Sequence, residues 1–481
     1  MRVVRLASAI AIAVALAARP AMPAPRCAAR TGAWVALGAH GGPSVSAETP
    51  VVAIGKRIFV FGWTRAIFDP CANRWSAMSK TGLPDEAWSA QHRRPLVAAD
   101  RVVFLGTGNN GEIPFATGGV TAIVYDVARN RWSAVPDQPE ALSWRRGALV
   151  AAVGREIIVW GGVVETNPGR GGPARLLNDG ARLDPATGTW RPISRTNAPS
   201  GRSFAHGVWT GTRLVVWGGI GKQTNPYQCG RPDECLPTAG GGVYDPATDT
   251  WSAMSDTGAP SARRGAAVKV AGDNVLVWGG IDRPDGAIYD PGANNWRALP
   301  PPPPGIASSR LDDFDLTVHG DKIVVITNAR QAAVYDLARA AWTAVPDIRF
   351  PTGLKDLRDL GAGALQLIVA HAQPNQPGTG TLVRVNAATA RWEMAPLPPL
   401  NAPTSLESGI VAWMDDQLIV WGPRYQEIRY EMDRAHAKDC GPRRPGEPIC
   451  DPAIPVREVR IGRAGLEGGL FRPAFATAGL P

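Results

Sequence analysis

Ile157-Ile158-Val159-Trp160-Gly161-Gly162 recurs as Leu214-Val215-Val216-Trp217-Gly218-Gly219 and again as Val275-Leu276-Val277-Trp278-Gly279-Gly280. Weaker copies stand at Phe59-Val60-Phe61-Gly62, Val103-Phe104-Leu105-Gly106, Val324 to Thr327, Gln366 to Val369 and Ile419 to Gly422. A short, wholly apolar run stopped by glycine reads as a strand buried on both faces that ends in a tight bend. Each copy is followed by a second unit, as in Val243-Tyr244-Asp245-Pro246-Ala247-Thr248-Asp249-Thr250-Trp251 and Ile288-Tyr289-Asp290-Pro291 to Trp296. That unit is a strand, an Asp-Pro turn and a second strand opening on tryptophan. The tryptophan returns at positions 34, 75, 132, 190, 251, 296, 342 and 392, about 51 residues apart on average. Self-similarity at this period marks a repeat architecture.

Composition agrees. The chain has 481 residues, 44% apolar and 19% charged, with 54 Gly, 44 Pro and 17 Trp. Such a chain has ample material for a core and is neither disordered nor a helical bundle. Length alone suggests about three domains; the repeat replaces that with one. The formal charge is +9 and the basic residues are scattered singly, without a run of five, which argues against nucleic acid as a partner. Met1 to Arg5 is a basic start, Leu6 to Ala18 an apolar run too short for a bilayer span, and small residues follow near Ala24. Residues 1–24 thus read as a signal peptide, and the expected location is periplasmic, cell-surface or extracellular, without membrane insertion. Six cysteines in an exported chain are expected to form disulfides. Cys229 and Cys235 are close in sequence, as are Cys440 and Cys450, which leaves Cys27 and Cys71 to pair.

The Gly-Gly, Tyr and Trp spacing resembles kelch repeats over about residues 31–432, strongly around Trp160, Trp217 and Trp278 and weakly in the units ending at Trp342 and Trp392. The bacterial exported kind is resembled through Met254-Ser255-Asp256-Thr257-Gly258-Ala259-Pro260, echoed at Met78 to Pro84 and Ile193 to Pro199. The resemblance implies an all-β kelch-type β-propeller of four-stranded blades, strands a to d running outward from a central channel. Eight a–b hairpins and eight Trp-bearing d strands predict eight blades, with seven as the alternative because known kelch rings more often have six or seven. The chain opens on a d strand (Gly32 to Leu37) and closes on an a–b–c set (about 409 to 432), so one composite blade is expected to close the ring and remove the open sheet edge. Residues 433–481 then form a C-terminal extension with a Cys440–Cys450 loop. In a propeller, Cys27 and Cys71 fall on the same face at the seam; a bond closing about 45 residues there contributes about 3 to 4 kcal/mol.

Long insertions fall between strands b and c (107–120, 163–180, 220–242 and 370–381), and d–a links are the next longest. Both belong to one face, and loops on a rigid scaffold are where binding residues gather; drift in loop length is the competing explanation. Arg146, Arg202 and Arg264 occupy matching places before strand a, with Arg94 and Arg310 looser equivalents. The resemblance implies two readings: a ring of guanidinium groups at the channel mouth that holds carboxylates, or a repeat-internal staple. Trp88 and Trp144 lie in d–a links, suited to stacking on a ligand or to anchoring a loop, and Tyr227 stands in the longest insertion. Other tryptophans fall on or beside strands and are structural.

Catalysis is poorly supported. Some kelch-like propellers are copper oxidases using Tyr, His and a Tyr–Cys cofactor, and others are sialic-acid mutarotases. Here Tyr125, Tyr244, Tyr289 and Tyr335 belong to strand c, Tyr227 and Cys229 are close in sequence but Cys229 has a ready disulfide partner, and the Asp312, Asp313 and Asp315 group lacks EF-hand spacing. The expectation is a monomeric, non-catalytic binder of a protein, peptide or glycan, without cofactor or metal. A carbohydrate-active enzyme on the same face, or an envelope protein without a defined ligand, are the alternatives.

Overall fold

A computed structural model describes residues 34–477, except 38–40, 44, 46–48, 63, 85–94, 106–111, 114–121, 136–141, 143–144, 166–173, 224–234, 282, 305, 307–313, 328–330, 347–367, 372–379, 397–409, 415–416, 424–426, 433–455, 462–465 and 472–475. The regular elements among the described residues are β-strands, and none is an α-helix. No helix there is long and apolar enough to cross a membrane.

The first repeat forms a four-stranded antiparallel meander of Val51–Ile54, Arg57–Phe61, Arg65–Asp69 and Arg74–Ala77. We letter these strands a to d. Five more sheets follow in the same order, spanning 96–135, 149–192, 206–253, 267–298 and 314–345. A seventh holds strands b, c and d at Ile368–His371, Gly380–Asn386 and Arg391–Pro396, with Ala476–Thr477 paired outside d. The eighth is built from both ends of the chain. Its strands a and b are Ile410–Met414 and Gln417–Pro423, c is Leu466–Phe471, and d is Trp34–Ala36, with Trp34 opposite Phe471 and Ala36 opposite Gly469.

Two expectations are corrected at this seam. Strand c of the eighth sheet is not the segment just after b. Glu427–Met432 pairs instead with Val456–Ile461, as a hairpin inserted between b and c. The boundary at residue 432 fails for the same reason, because the repeat architecture extends to Phe471. The physical cause is that b–c is where this chain places its insertions, and the eighth sheet's is the longest.

Packing follows from the binary pattern. Strand b is apolar on both faces because each sheet is sandwiched between two others; Leu214–Trp217 is buried throughout. Seven hydrophobic clusters result, and each joins two sheets consecutive in space. Ile58, Val60 and Phe68 of the first sheet pack with Ile419 and Trp421 of the eighth. Val215 and Trp217 of the fourth pack with Val275 and Val277 of the fifth. The remaining five join sheets one to two, two to three, three to four, five to six and six to seven.

The recurring Tyr and Trp lock the sheets to one another. Tyr244 of c faces Trp251 of d in the ladder, with ring centroids 5.0 Å apart. Its hydroxyl donates to Asp249 Oδ1 at 2.6 Å, and Asp249 Oδ1 also accepts from Ser194 N at 3.1 Å, in the link leaving the preceding sheet. Trp251 Nε1 donates to Ser194 O at 2.9 Å. The set repeats with Tyr125, Asn130, Trp132 and Ser79, and with Tyr289, Asn294, Trp296 and Ser255. The Met-Ser and Ile-Ser echoes of the sequence are therefore the sockets for the next sheet's tryptophan.

Candidate functional site

Tight turns occupy one end of the sheets. The a–b connections at 55–56, 99–100, 154–155, 272–273 and 320–321 have two residues each. In the c–d turns an aspartate accepts from the backbone two residues on, as Asp245 does from Ala247 N at 2.9 Å and Asp69 from Cys71 N at 2.9 Å. The other end is elaborated. Four short strands there form a secondary sheet: Glu112–Ile113 from the second b–c insertion, Arg145–Arg146 from a d–a link, and Val163–Glu165 with Ala174–Leu176 from the third b–c insertion. The fourth b–c insertion forms its own hairpin, Ile220–Gln223 with Cys235–Pro237, and Ser203 of the adjoining link bridges to Ile220. The insertions are a folded crown over sheets two to four.

The arginines divide into two sets, and the expected alignment of Arg146, Arg202 and Arg264 is one residue out of register. The equivalent residues are Arg145, Arg202 and Arg263, at 0%, 4% and 4% exposure. Each donates Nη1 to the carbonyl of the first glycine of Gly-Gly: Gly161 at 3.0 Å, Gly218 at 3.1 Å and Gly279 at 3.2 Å. The same nitrogen reaches a carbonyl just ahead of strand c, on Asp179, Gly240 and Asp285 respectively. Asp179 and Asp285 also pair with their arginines through carboxylates at 2.9 and 2.8 Å. Burial pushes the Arg145 and Arg202 guanidinium groups below their ordinary range, and Asp179 opposes that at Arg145. The Arg263 hydrogen bonds and charge hold the Asp285 carboxyl below the usual carboxylate range. This set is a staple across the b–c opening, with its donors spent on backbone carbonyls, carboxylates and serine hydroxyls of the repeat itself.

The next residue along is Arg146, Ser203 or Arg264, and it faces the crown. Arg146 is half-buried and its backbone pairs with Val163 and Glu112. Arg264 is half-buried and donates Nη2 to Cys235 O on the last crown strand. Arg94, Arg310, Trp88, Trp144 and Tyr227 lie outside the described residues. Burial pushes the imidazole of His206 in strand a below its ordinary range. Cys71 and Cys235 are disulfide-bonded; the partners expected for them, Cys27 and Cys229, and the pair Cys440 and Cys450 lie outside the described residues. Among the described residues no group of three His, Cys, Asp or Glu side chains is placed to hold a metal.

Three residues escaped the sequence reading. Phe204, Leu236 and Ile281 are large apolar side chains exposed at 51%, 41% and 47%.

A succession of four-stranded antiparallel meanders, several of them locked to the preceding link by a Tyr–Trp pair, is consistent with a β-propeller. Comparison with known proteins is specific: residues 92–327 match the family described as the KLHDC2/KLHL20/DRC7 Kelch-repeats domain. The match supports a kelch-repeat propeller. Kelch domain-containing protein 3 of Homo sapiens is 23% identical over 314 residues, covering 60% of this chain and 78% of that protein. The solved structure titled "Structure of YjhT" covers 60% of this chain and 94% of its own at 15% identity, with a TM-score of 0.35.

Proposed function

We propose that this chain is an exported, non-catalytic kelch propeller of eight blades that binds a partner protein on the face carrying its b–c and d–a loops. The crown carries the reading. Four short strands from two b–c insertions and a d–a link pair into one secondary sheet there, while the opposite end is trimmed to turns of two to four residues. Rigid presentation of irregular segments on one face is what a binding surface requires. The kelch relationship supports it, since kelch domains are chiefly interaction modules.

Eight blades are supported by eight successive sheets and by seven clusters that link them from the eighth through the first to the seventh. The remaining interface, between sheets seven and eight, would complete the ring. Export is supported by the basic start, apolar run and small residues of 1–24, and the bonding of Cys71 and Cys235 accords with it. Pairing of Cys71 with Cys27, just ahead of the strand Trp34–Ala36, would fasten the seam.

The test replaces the fourth b–c hairpin, residues 220–237, with the short b–c turn of the fifth sheet, 281–285. Cross-linking of the wild-type chain in envelope extracts should yield discrete protein adducts that the exchanged chain loses at unchanged melting temperature. Adducts identical for both chains would remove the crown from the function.

A further inference from the structure

Among the described residues the seventh sheet alone carries a strand outside its strand d. Ala476–Thr477 pairs there, with Thr477 opposite Glu393 and Ala476 opposite Met394. Elsewhere d is the outer edge, and the two residues after its tryptophan are exposed, as at Ser76-Ala77, Ser252-Ala253 and Thr343-Ala344. Glu393 and Met394 are half-buried. The added strand follows shortly after Phe471, the end of strand c in the eighth sheet, and so is tied through the backbone to that sheet.

The boundary between sheets seven and eight departs from the fastenings used elsewhere. The strand c residue opposite the one after the d tryptophan is Ile67, Val124, Val243, Ile288 or Val334 in five sheets. Each of these belongs to the cluster that joins its sheet to the next. In the third sheet the position is Arg182, whose Nη1 donates to Pro246 O of the fourth at 2.7 Å. In the seventh it is Arg384, and its ladder partner is Glu393. Arg384 Nε donates to Glu393 Oε2 at 2.7 Å, Nη2 pairs with the same oxygen at 2.6 Å, and Asn386 Nδ2 donates to Oε1 at 2.6 Å. A largely buried ion pair thus stands where an apolar contact with the next sheet would, and such a pair is often no better than the apolar residues it replaces. The socket differs as well. Four places after the d tryptophan, Ser79, Ser194 and Ser255 give their N–H to the next sheet. The seventh sheet has Pro396 there, which has no N–H to give. Among the described residues no hydrophobic cluster joins sheets seven and eight.

We propose that Ala476–Thr477 is a strap that fastens the seventh sheet to the eighth by backbone pairing, and that the boundary it spans is where the ring parts first. The proposal rests on the reading of the eight sheets as a closed ring. A two-residue ladder at a sheet edge opens at far lower cost than a whole sheet unfolds. The strap can therefore be released, and the ring opened, with every blade intact.

The test begins with small-angle X-ray scattering of the full-length oxidised chain; the profile of an open arc would overturn the ring and the proposal together. Hydrogen exchange read by mass spectrometry then compares wild type with the double variant Ala476→Pro, Thr477→Pro, which removes the backbone donors of the strap and leaves strand c in place. Exchange should rise at least about tenfold in Arg391–Pro396 and in 410–423, while 51–77 and 206–253 keep wild-type rates. A chain ending at Phe471 should show the same pattern, which separates loss of the strap from a distortion caused by proline. Wild-type exchange in both segments would overturn the strap. A rise confined to Arg391–Pro396 would reduce the strand to an edge cover and overturn its role between sheets, while leaving the ring. An equal rise in every sheet would overturn the boundary as the first to part.

Discussion

Arg202→Met separates a structural arginine from a ligand-binding one. The guanidinium donates Nη1 to Gly218 O and Gly240 O, both at 3.1 Å, Nε to Ser200 O at 3.0 Å and Nη2 to Ser200 Oγ at 3.1 Å. Methionine keeps most of the buried stem and removes all four bonds. Hydrogen bonds to a charged donor are worth roughly 1.5–3 kcal/mol each, and a stranded buried carbonyl costs about 1–3 kcal/mol. Gly240 O keeps the Gly218 N–H at 2.9 Å, so Gly218 O is the carbonyl left stranded, and with the lost charged bonds this sets the loss at about 3–5 kcal/mol. Removing the charge from an unfavourable buried position returns part of this, so about 4 kcal/mol is the working value. With an unfolding entropy of about 2.1 cal/mol/K per residue over roughly 400 residues, the melting temperature falls by about 5 °C. Scanning calorimetry of the oxidised full chain measures this directly. Arg202→Lys should recover little, because one ammonium cannot span both carbonyls and the serine together. A melting temperature within 1 °C of wild type for Arg202→Met would refute the staple and return Arg202 to the channel mouth as a ligand residue.

Three further outcomes are expected. Gly241→Ala places a Cβ 1.8 Å from Val216 O, inside the b–c ladder, and should destabilise by at least about 3 kcal/mol through strand separation; calorimetry on the same footing tests it. Burial pushes the Tyr125 and Tyr289 hydroxyls up to about 12 and Tyr244 further, with Asp249 adding to the effect there. Stability from these groups is complete below the ordinary value of about 10 and drains as pH rises toward the folded-state values. Phenolate absorbance should therefore lag the ordinary titration and then appear together with loss of tertiary structure; simple non-cooperative ionisation near pH 10 would contradict the Tyr–Trp locks. Deleting residues 462–481 removes strand c of the eighth sheet and should leave Trp34–Ala36 unpaired, detected as rapid proteolysis within residues 34–50; a resistant N-terminus would show that another segment serves as c.

The repeat was legible wherever burial dictates residue type. Strand b must be apolar on both faces, c must present Tyr to the Trp of d, and both signals survive in Val243 to Trp251 without any knowledge of the fold. The arginine register was harder, because Arg145-Arg146 and Arg263-Arg264 are doublets and only the single Arg202 breaks the tie. The invariant separation of 16 residues from the staple arginine to the first glycine resolves it. Glu427–Met432 was misread because proximity in sequence is a poor guide where insertions are long, and Leu466–Phe471, with Gly468-Gly469 at its centre, carries little of the repeat's signature. Exposure at Ile281 was invisible for a different reason. It depends on the shortness of a neighbouring loop, a property of no single residue.

The eighth sheet also sets an order of events. Trp34–Ala36 is made more than 400 residues before Leu466–Phe471, yet each is the other's ladder partner. During synthesis the first sheet can fold against the second, and so on outward, but its other face, with Ile58, Val60 and Phe68, waits for Ile419 and Trp421. The seam is thus a proof of completion. A product that terminates early displays an apolar sheet face and a strand edge with no mate, and so exposes its own incompleteness to whatever proteases share its compartment.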